Sequence, residues 1–282
     1  MALKKSSLAG SWYPEDEETL RRLVDGLLDA APESPGPWIG AIVPHAGYQY
    51  SGATAAAAYR QFRGRALRRA VILAPSHTAD YRGVAVLDAE GFLTPLGRVA
   101  IDRAAAELSD DRLLRVDAAP FRGEHSLEIQ LPFLQRVLPG LSVVPLLAGR
   151  LEEGDYARVG ILLDRLASDE TIFLISSDFT HFGRRFGYVP FLPADASDAR
   201  RRLRALDMGA IEPALRCDPA GFREHLARTG DTVCGHVPIE AFLAWARGRL
   251  RGTLLDYRTS LDVTGDYDHT VSYAAIAFGS AA

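Results

Sequence analysis

Cysteine is scarce in this chain. Of 282 residues only Cys217 and Cys234 are cysteines. A disulfide framework needs more, and a chain this long can rely on a buried core instead. We therefore expect a reducing compartment and a cytoplasmic protein. Lysine is as scarce: Lys4 and Lys5 are its two occurrences, so Arg supplies the rest of the 32 basic residues. Those Arg residues are scattered, apart from short clusters such as 200–204. The formal net charge is -4 and the isoelectric point about 6.0. Without clustered basic charge, nucleic acid and anionic membrane are poor partners. No apolar run approaches the length of a membrane span. Residues 1–10 carry two lysines with no apolar core behind them, so they do not read as a signal peptide. A Gly-x-Ser-x-Gly elbow is missing, which argues against a serine hydrolase. Neither GxGxxG nor a P-loop occurs. The nearest approach is the loop between Gly47 and Gly52, which opens a helical stretch and offers backbone amides to an anion.

What the chain does have is a 48% hydrophobic composition laid out in short runs. Three apolar runs, at 39–43, 69–74 and 171–176, have the length of buried strands and end at sharp breakers. Weaker strand patterns lie at 83–87, 142–147, 252–260 and 270–278. Helical spacing follows 16–18, where acidic residues suit a helix start. It recurs at 53–62, 101–108, 127–138, 156–166, in stretches up to about 227, and at 239–246. Residues 91–97 read as a turn-rich connection and 184–198 as an irregular loop. Strands alternating with helices predict an α/β fold, a three-layer α/β/α sandwich with helices on both faces of a central sheet. The last two strands follow one another without a helix, so the sheet is expected to be mixed, though largely parallel. No repeat or composition break divides the chain, and 1–282 reads as a single domain.

The three strongest strands each end in titratable side chains: His45, His77, and the pair Asp178 and His181. If those strands are adjacent and parallel, these groups share the carboxyl edge of the sheet, where open α/β sheets bind ligands. Convergent groups of this kind mark candidate sites. Two His with a carboxylate suit non-haem iron; two His with a Cys suit copper, zinc or iron. Asp178 offers the carboxylate. Cys234 offers the thiol, at a helix N-terminus where the dipole would favour the thiolate; its other reading is a small buried apolar residue. Asp178 and His181 lie three apart and would face the same way in a helical turn, letting the carboxylate orient the imidazole as an acid–base group; the plainer reading of Asp178 is a helix cap. Glu124 and His125 sit at another helix start, where His125 is either a pocket acid–base group or a cap. His225 reads as a surface residue and Cys217 as packing. His236 is ambiguous. His269, near the start of the last strand, is expected at the wrong end of the sheet.

The segments Gly10-Ser-Trp-Tyr-Pro, Pro44-His-Ala-Gly-Tyr-Gln-Tyr-Ser-Gly52, Pro75-Ser-His77, Glu124-His-Ser-x-Glu128, Ser176-Ser-Asp-Phe-Thr-His181, Cys234-Gly-His-x-Pro-Ile and Val271-Ser-Tyr-Ala-Ala resemble, in order, the Memo family. The resemblance spans nearly the whole chain. It implies a fold similar to that of class III extradiol dioxygenases. It also implies a metal site at His45, His77 and Cys234, with Asp178 and His181 in the same pocket. Iron or copper is expected ahead of zinc. The dioxygenases use two His and a Glu, whereas Memo proteins have Cys in the carboxylate's place. A thiolate changes the charge and potential of the centre, so the resemblance implies metal binding rather than ring cleavage. Bacterial and archaeal members form the B component of the AmmeMemoRadiSam set, which implies a radical-SAM protein and an AMMECR1-like protein as partners. Eukaryotic members imply a peptide-binding pocket, with Trp12 and Tyr50 at matching positions. Tyr48 is a further candidate wall of the cleft. Three functions follow as expectations: a metal-dependent redox enzyme, a peptide- or partner-binding module using the same cleft, and a zinc hydrolase.

Overall fold

A computed structural model describes residues 3–108 and 113–281. Its strands are β1 (Leu3–Lys5), β2 (Trp38–Val43), β3 (Arg69–Pro75), β4 (Val84–Val86), β5 (Gly91–Thr94), β6 (Gly97–Ile101), β7 (Leu114–Val116), β8 (Ser142–Ala148), β9 (Thr171–Ser176), β10 (His181–Phe182), β11 (Leu250–Thr259) and β12 (Thr270–Ser280). Its helices are α1 (Glu17–Ala30), α2 (Tyr48–Tyr59), α3 (Ala104–Glu107), α4 (Leu131–Val137), α5 (Glu153–Leu166), α6 (Ala196–Leu215), α7 (Pro219–Thr229), α8 (His236–Ala246) and α9 (Leu261–Thr264). The strands form one sheet with the main order β1-β5-β6-β8-β3-β9-β2-β12-β10. The four strands from β8 to β2 are parallel, whereas β12 runs antiparallel to β2 and β11 antiparallel to β12. The expected mixed, largely parallel α/β sandwich is what the chain adopts.

The apolar runs became central strands because both of their faces are covered. Along β3 and β9 every residue beyond Arg69 is buried. One hydrophobic core packs α1, α2 and α4 against one sheet face, and a second packs α5, α6 and α8 against the other. In α2 the four alanines Ala55–Ala58 are buried, and such small side chains let the helix sit close to the strands. The chain passes from β2 to β3 through α2 on one face, and from β8 to β9 through α5 on the other. The two crossovers run in opposite directions along the sheet. That reversal leaves a crevice at the carboxyl ends of β2, β9 and β3, the usual ligand position in open sheets.

Several boundaries differ from those expected. Residues 91–97, expected as a connection, contain strand β5 and the start of β6, an antiparallel hairpin whose turn is at 95–96. The helix after β2 begins at Tyr48, not Ala53, so Tyr48 and Tyr50 lie in its first turn. The stretch 101–108 is helical only over α3, and its first residue, Ile101, ends β6. The 127–138 pattern enters α4 through a 3-10 turn at Glu128–Gln130. Pro132 fits the first turn of α4, where its missing N–H is not needed. Among the described residues no helix is long and apolar enough to cross a membrane.

Candidate metal centre

His45 lies two residues past the end of β2 and is almost fully buried. Its backbone N–H donates to Asp178 Oδ1 at 2.8 Å. Its Nδ1 lies 2.9 Å from Ser176 Oγ, at the end of β9. The Ser176 hydroxyl gives its own proton to the Ser126 carbonyl and accepts from Gln130 Nε2. Ser176 therefore acts as acceptor toward His45, so the imidazole carries its proton on Nδ1. That leaves the Nε2 lone pair free, 3.1 Å from Cys234 Sγ.

His77 reaches the same arrangement by another partner. Glu124 accepts both the backbone N–H of His77 and, at 3.0 Å, its Nδ1–H. Burial alone would raise the Glu124 pKa, but the His77 side chain and the Ser126 and His77 amides overcome it and bring it to about 2. Glu124 is thus an ionised acceptor, and His77 also presents Nε2. A carboxylate holding a His by its second nitrogen is the usual support for a metal ligand. Glu124 read only as part of a helix start in the sequence; its partner lies 47 residues away, and no local pattern announces it.

Ligand atoms of His45, His77 and Cys234 lie within 4.8 Å of one another. The donor set fits a soft or borderline cation: two neutral imidazoles with oriented lone pairs and one sulfur. A second cluster, His77, Glu124 and His125, is equally compact. Its Glu124 oxygens already accept from His77, His125 and Ser126 donors, so Glu124 is a support rather than a free ligand. Cys234 departs from expectation in one respect. The helix dipole was to favour its thiolate, but burial first and the Asp178 carboxylate second push the thiol pKa up. A bound cation would have to displace that proton.

The remaining groups sort clearly. His181 donates Nδ1–H toward the Phe179 and Thr232 carbonyls, at 2.9 and 3.2 Å. Its free Nε2 belongs to a ring that lines the cavity. Asp178 does not orient it: residues 177–180 are not helical, and the carboxylate instead binds the His45 and Ala46 amides. In the Gly47 loop itself the Tyr48 N–H donates to the Trp12 carbonyl, and the Tyr50 and Ser51 N–H groups donate to the Gly47 carbonyl. Burial raises the Asp178 pKa to about 6. His125 stacks on His77 with ring centroids 4.5 Å apart and packs against a tilted Trp12 ring at 4.6 Å. Burial, then His77, lowers its pKa to about 4, so it is neutral near pH 7.

These groups border a cavity of about 610 Å³ whose wall also includes Trp12, Tyr50, Arg185, Phe186 and Tyr273. Trp12 is held by backbone bonds to the Leu8 carbonyl and the Tyr48 N–H, and the buried Glu128 carboxylate, accepting from Lys4, Ser6 and the Ser7 amide, ties down the segment before it. Tyr48 is not a wall. It is buried, packs on Phe133 and donates its hydroxyl proton to the Ile129 carbonyl, because the first turn of α2 rotates it inward. His269, discounted from its position, does line the cavity. Since β12 runs antiparallel to β2, its start lies at the carboxyl edge of the parallel strands. His225 is not on the surface. It is buried between α7 and α6, beside Gly209, where a Cβ would lie 2.3 Å from the ring. Cys217 is packed in the core as expected.

The profile described as Memo-like protein matches residues 4–277. The chain belongs to the Memo family. Similar Memo proteins come from both animals and archaea. Protein MEMO1 of Danio rerio is 35% identical over 98% of this chain and 97% of its own length. A MEMO1 family protein of Methanosarcina mazei is 34% identical over 98% and 99%. The memo-1 homolog of Caenorhabditis elegans is 33% identical over 96% and 81%.

Proposed function

We propose that this Memo protein holds one iron or copper ion on His45, His77 and Cys234 and uses it in redox chemistry on a small molecule in the adjoining cavity. The observation that carries this reading is the convergence of the three ligand atoms, with both imidazoles locked to present Nε2. Such an ion, when bound, supplies an electron donor or acceptor and a Lewis acid. The protein's own groups supply the rest. His125 and His181 are acid–base candidates on the cavity wall; His125 is neutral near pH 7 and able to accept a proton. Asp178 holds the His45 backbone in place. Trp12 and Tyr50 provide apolar surface for a phenolic or catecholic ring.

The test is element analysis of protein purified without oxygen, beside a His77→Ala variant. We expect one iron or copper per wild-type chain and at least about tenfold less in the variant. Equal metal in both would remove the site, and zinc alone would favour hydrolysis. Oxygen consumption with phenols and catechols then checks the redox step.

The second reading is a module that binds a peptide or partner. It rests on the mouth of the cavity, where Tyr50 and Phe186 are exposed beside Arg185. Pull-down that survives His45→Ala and Cys234→Ala would favour it. By family we also propose a radical-SAM protein and an AMMECR1-like protein as partners, to be checked by co-purification, and a cytoplasmic location.

A further inference from the structure

The three proposed ligands do not all face one cavity. His45 lines the cavity described above and Cys234 does not; His77 lines it too. A second cavity, of about 450 Å³, lies against the other side of the cluster. Its wall includes Pro75, His77, Thr78, Cys234, His236 and Val237, but not His45. The ligand cluster therefore borders both cavities, with His77 common to the two. The sulfur is reached from the second side and the His45 ring from the first, although these atoms are 3.1 Å apart.

The second cavity carries its own imidazole. His236 opens α8, and its Nδ1–H donates to the Val233 carbonyl at 3.0 Å. The tautomer this fixes leaves Nε2 as a free donor to a cation. Asp80 and Arg150, also in the wall, form an exposed ion pair at 2.9 Å that water screens. The pair is electrically neutral and presents no barrier of one sign to an incoming ion. Nothing in the proposed redox role uses this space. A substrate filling the first cavity would cover His45 and His77 but leave the second side open.

We propose that the second cavity is the entry port for the metal ion, with His236 as the first imidazole the ion meets before it passes to Cys234 and His77. The proposal rests on the reading of His45, His77 and Cys234 as the metal centre. A borderline divalent or cuprous ion suits the route, because the three side chains it would meet in turn, His236, Cys234 and His77, offer nitrogen or sulfur.

The test is the loading of full-length, chelator-stripped protein with Co²⁺, followed by the thiolate-to-cobalt absorption band, which reports arrival at Cys234. Val237→Trp fills the port; Ala79→Phe, also in its wall, narrows it should the first variant fold poorly. His236→Ala removes the relay. Gln49→Trp narrows the first cavity and is the control. We expect the port and relay variants to load at least about tenfold more slowly, a difference of about 1.4 kcal/mol in barrier, with the same final band. Gln49→Trp should load at the wild-type rate. Wild-type loading rates in His236→Ala or in the port variants, or slowed loading in Gln49→Trp, would overturn the port. A second readout needs no metal: alkylation of Cys234 by iodoacetamide should slow in the port variants and not in Gln49→Trp, and the reverse order sinks the proposal. A wild-type chain that develops no cobalt band would instead refute the metal centre itself, and the port with it.

Discussion

The imidazoles of His45 and His77 are fixed to the same tautomer by unlike partners, a serine that has spent its proton and an ionised glutamate. A second side-chain network lies behind the centre. The Thr180 hydroxyl lies 2.7 Å from both Asp207 Oδ1 and Asp231 Oδ1. It has one proton to give, so a carboxyl of this pair must supply the other. Burial, then Asp231, raises the Asp207 pKa to about 6. A folded-state pKa above the unfolded value of 3.8 means stability fully present at low pH and lost as pH rises through about 6. From these limits Asp207 accounts for roughly 3 kcal/mol across that window. We expect the stability difference between wild type and Asp207→Asn, from urea titrations between pH 3.5 and 7, to shift by about that amount against the wild type. A difference that stays constant with pH would show that Asp207 does not hold the proton.

At the scale of elements, the candidate metal centre depends on how closely the loop before α8 approaches the end of β9. Gly235 makes that approach. A Cβ there would lie 2.4 Å from Ser177 Cβ and 2.6 Å from the Ser176 carbonyl oxygen. The Gly235 N–H also donates to Ser177 Oγ at 3.0 Å. Gly235→Ala must push the loop outward, carrying Cys234 away from His45. Overpacking of this kind costs about 1–3 kcal/mol. The variant should remain folded by circular dichroism while its cobalt–thiolate band is lost. An unchanged band would mean that the loop tolerates the shift and that the close approach is not what sets the sulfur.

For the whole molecule, the centre links segments that are distant in the chain: β2, β3, the loop after β9 and the loop before α8. A ligand that binds only the assembled site stabilises the folded state by mass action. With free metal at about 100 times its dissociation constant the gain is about 2.7 kcal/mol. For a chain of this size that is a rise in melting temperature of about 5 °C or more. Cys234→Ser should lose most of the rise while melting near the unloaded wild type. The same rise in both would place the stabilising ion elsewhere.

The sequence by itself determined the layout. Its apolar runs were long enough for strands and too short for membrane spans, and each strong run stopped at a breaker followed by His or Asp. Local pattern therefore revealed the α/β class and three strand ends that carry chemistry, and ordered motifs revealed the family. Tertiary structure decided what pairs with what. The supports of the site, Glu124 for His77 and Ser176 for His45, lie 47 and 131 residues from their partners, beyond the reach of helical or strand periodicity. Strand direction brought His269 to the cavity, the rotation of α2 turned Tyr48 away from it, and the room left by Gly209 buried His225. A side chain's type is local information, but its orientation, burial and proton depend on neighbours that only the folded chain assembles.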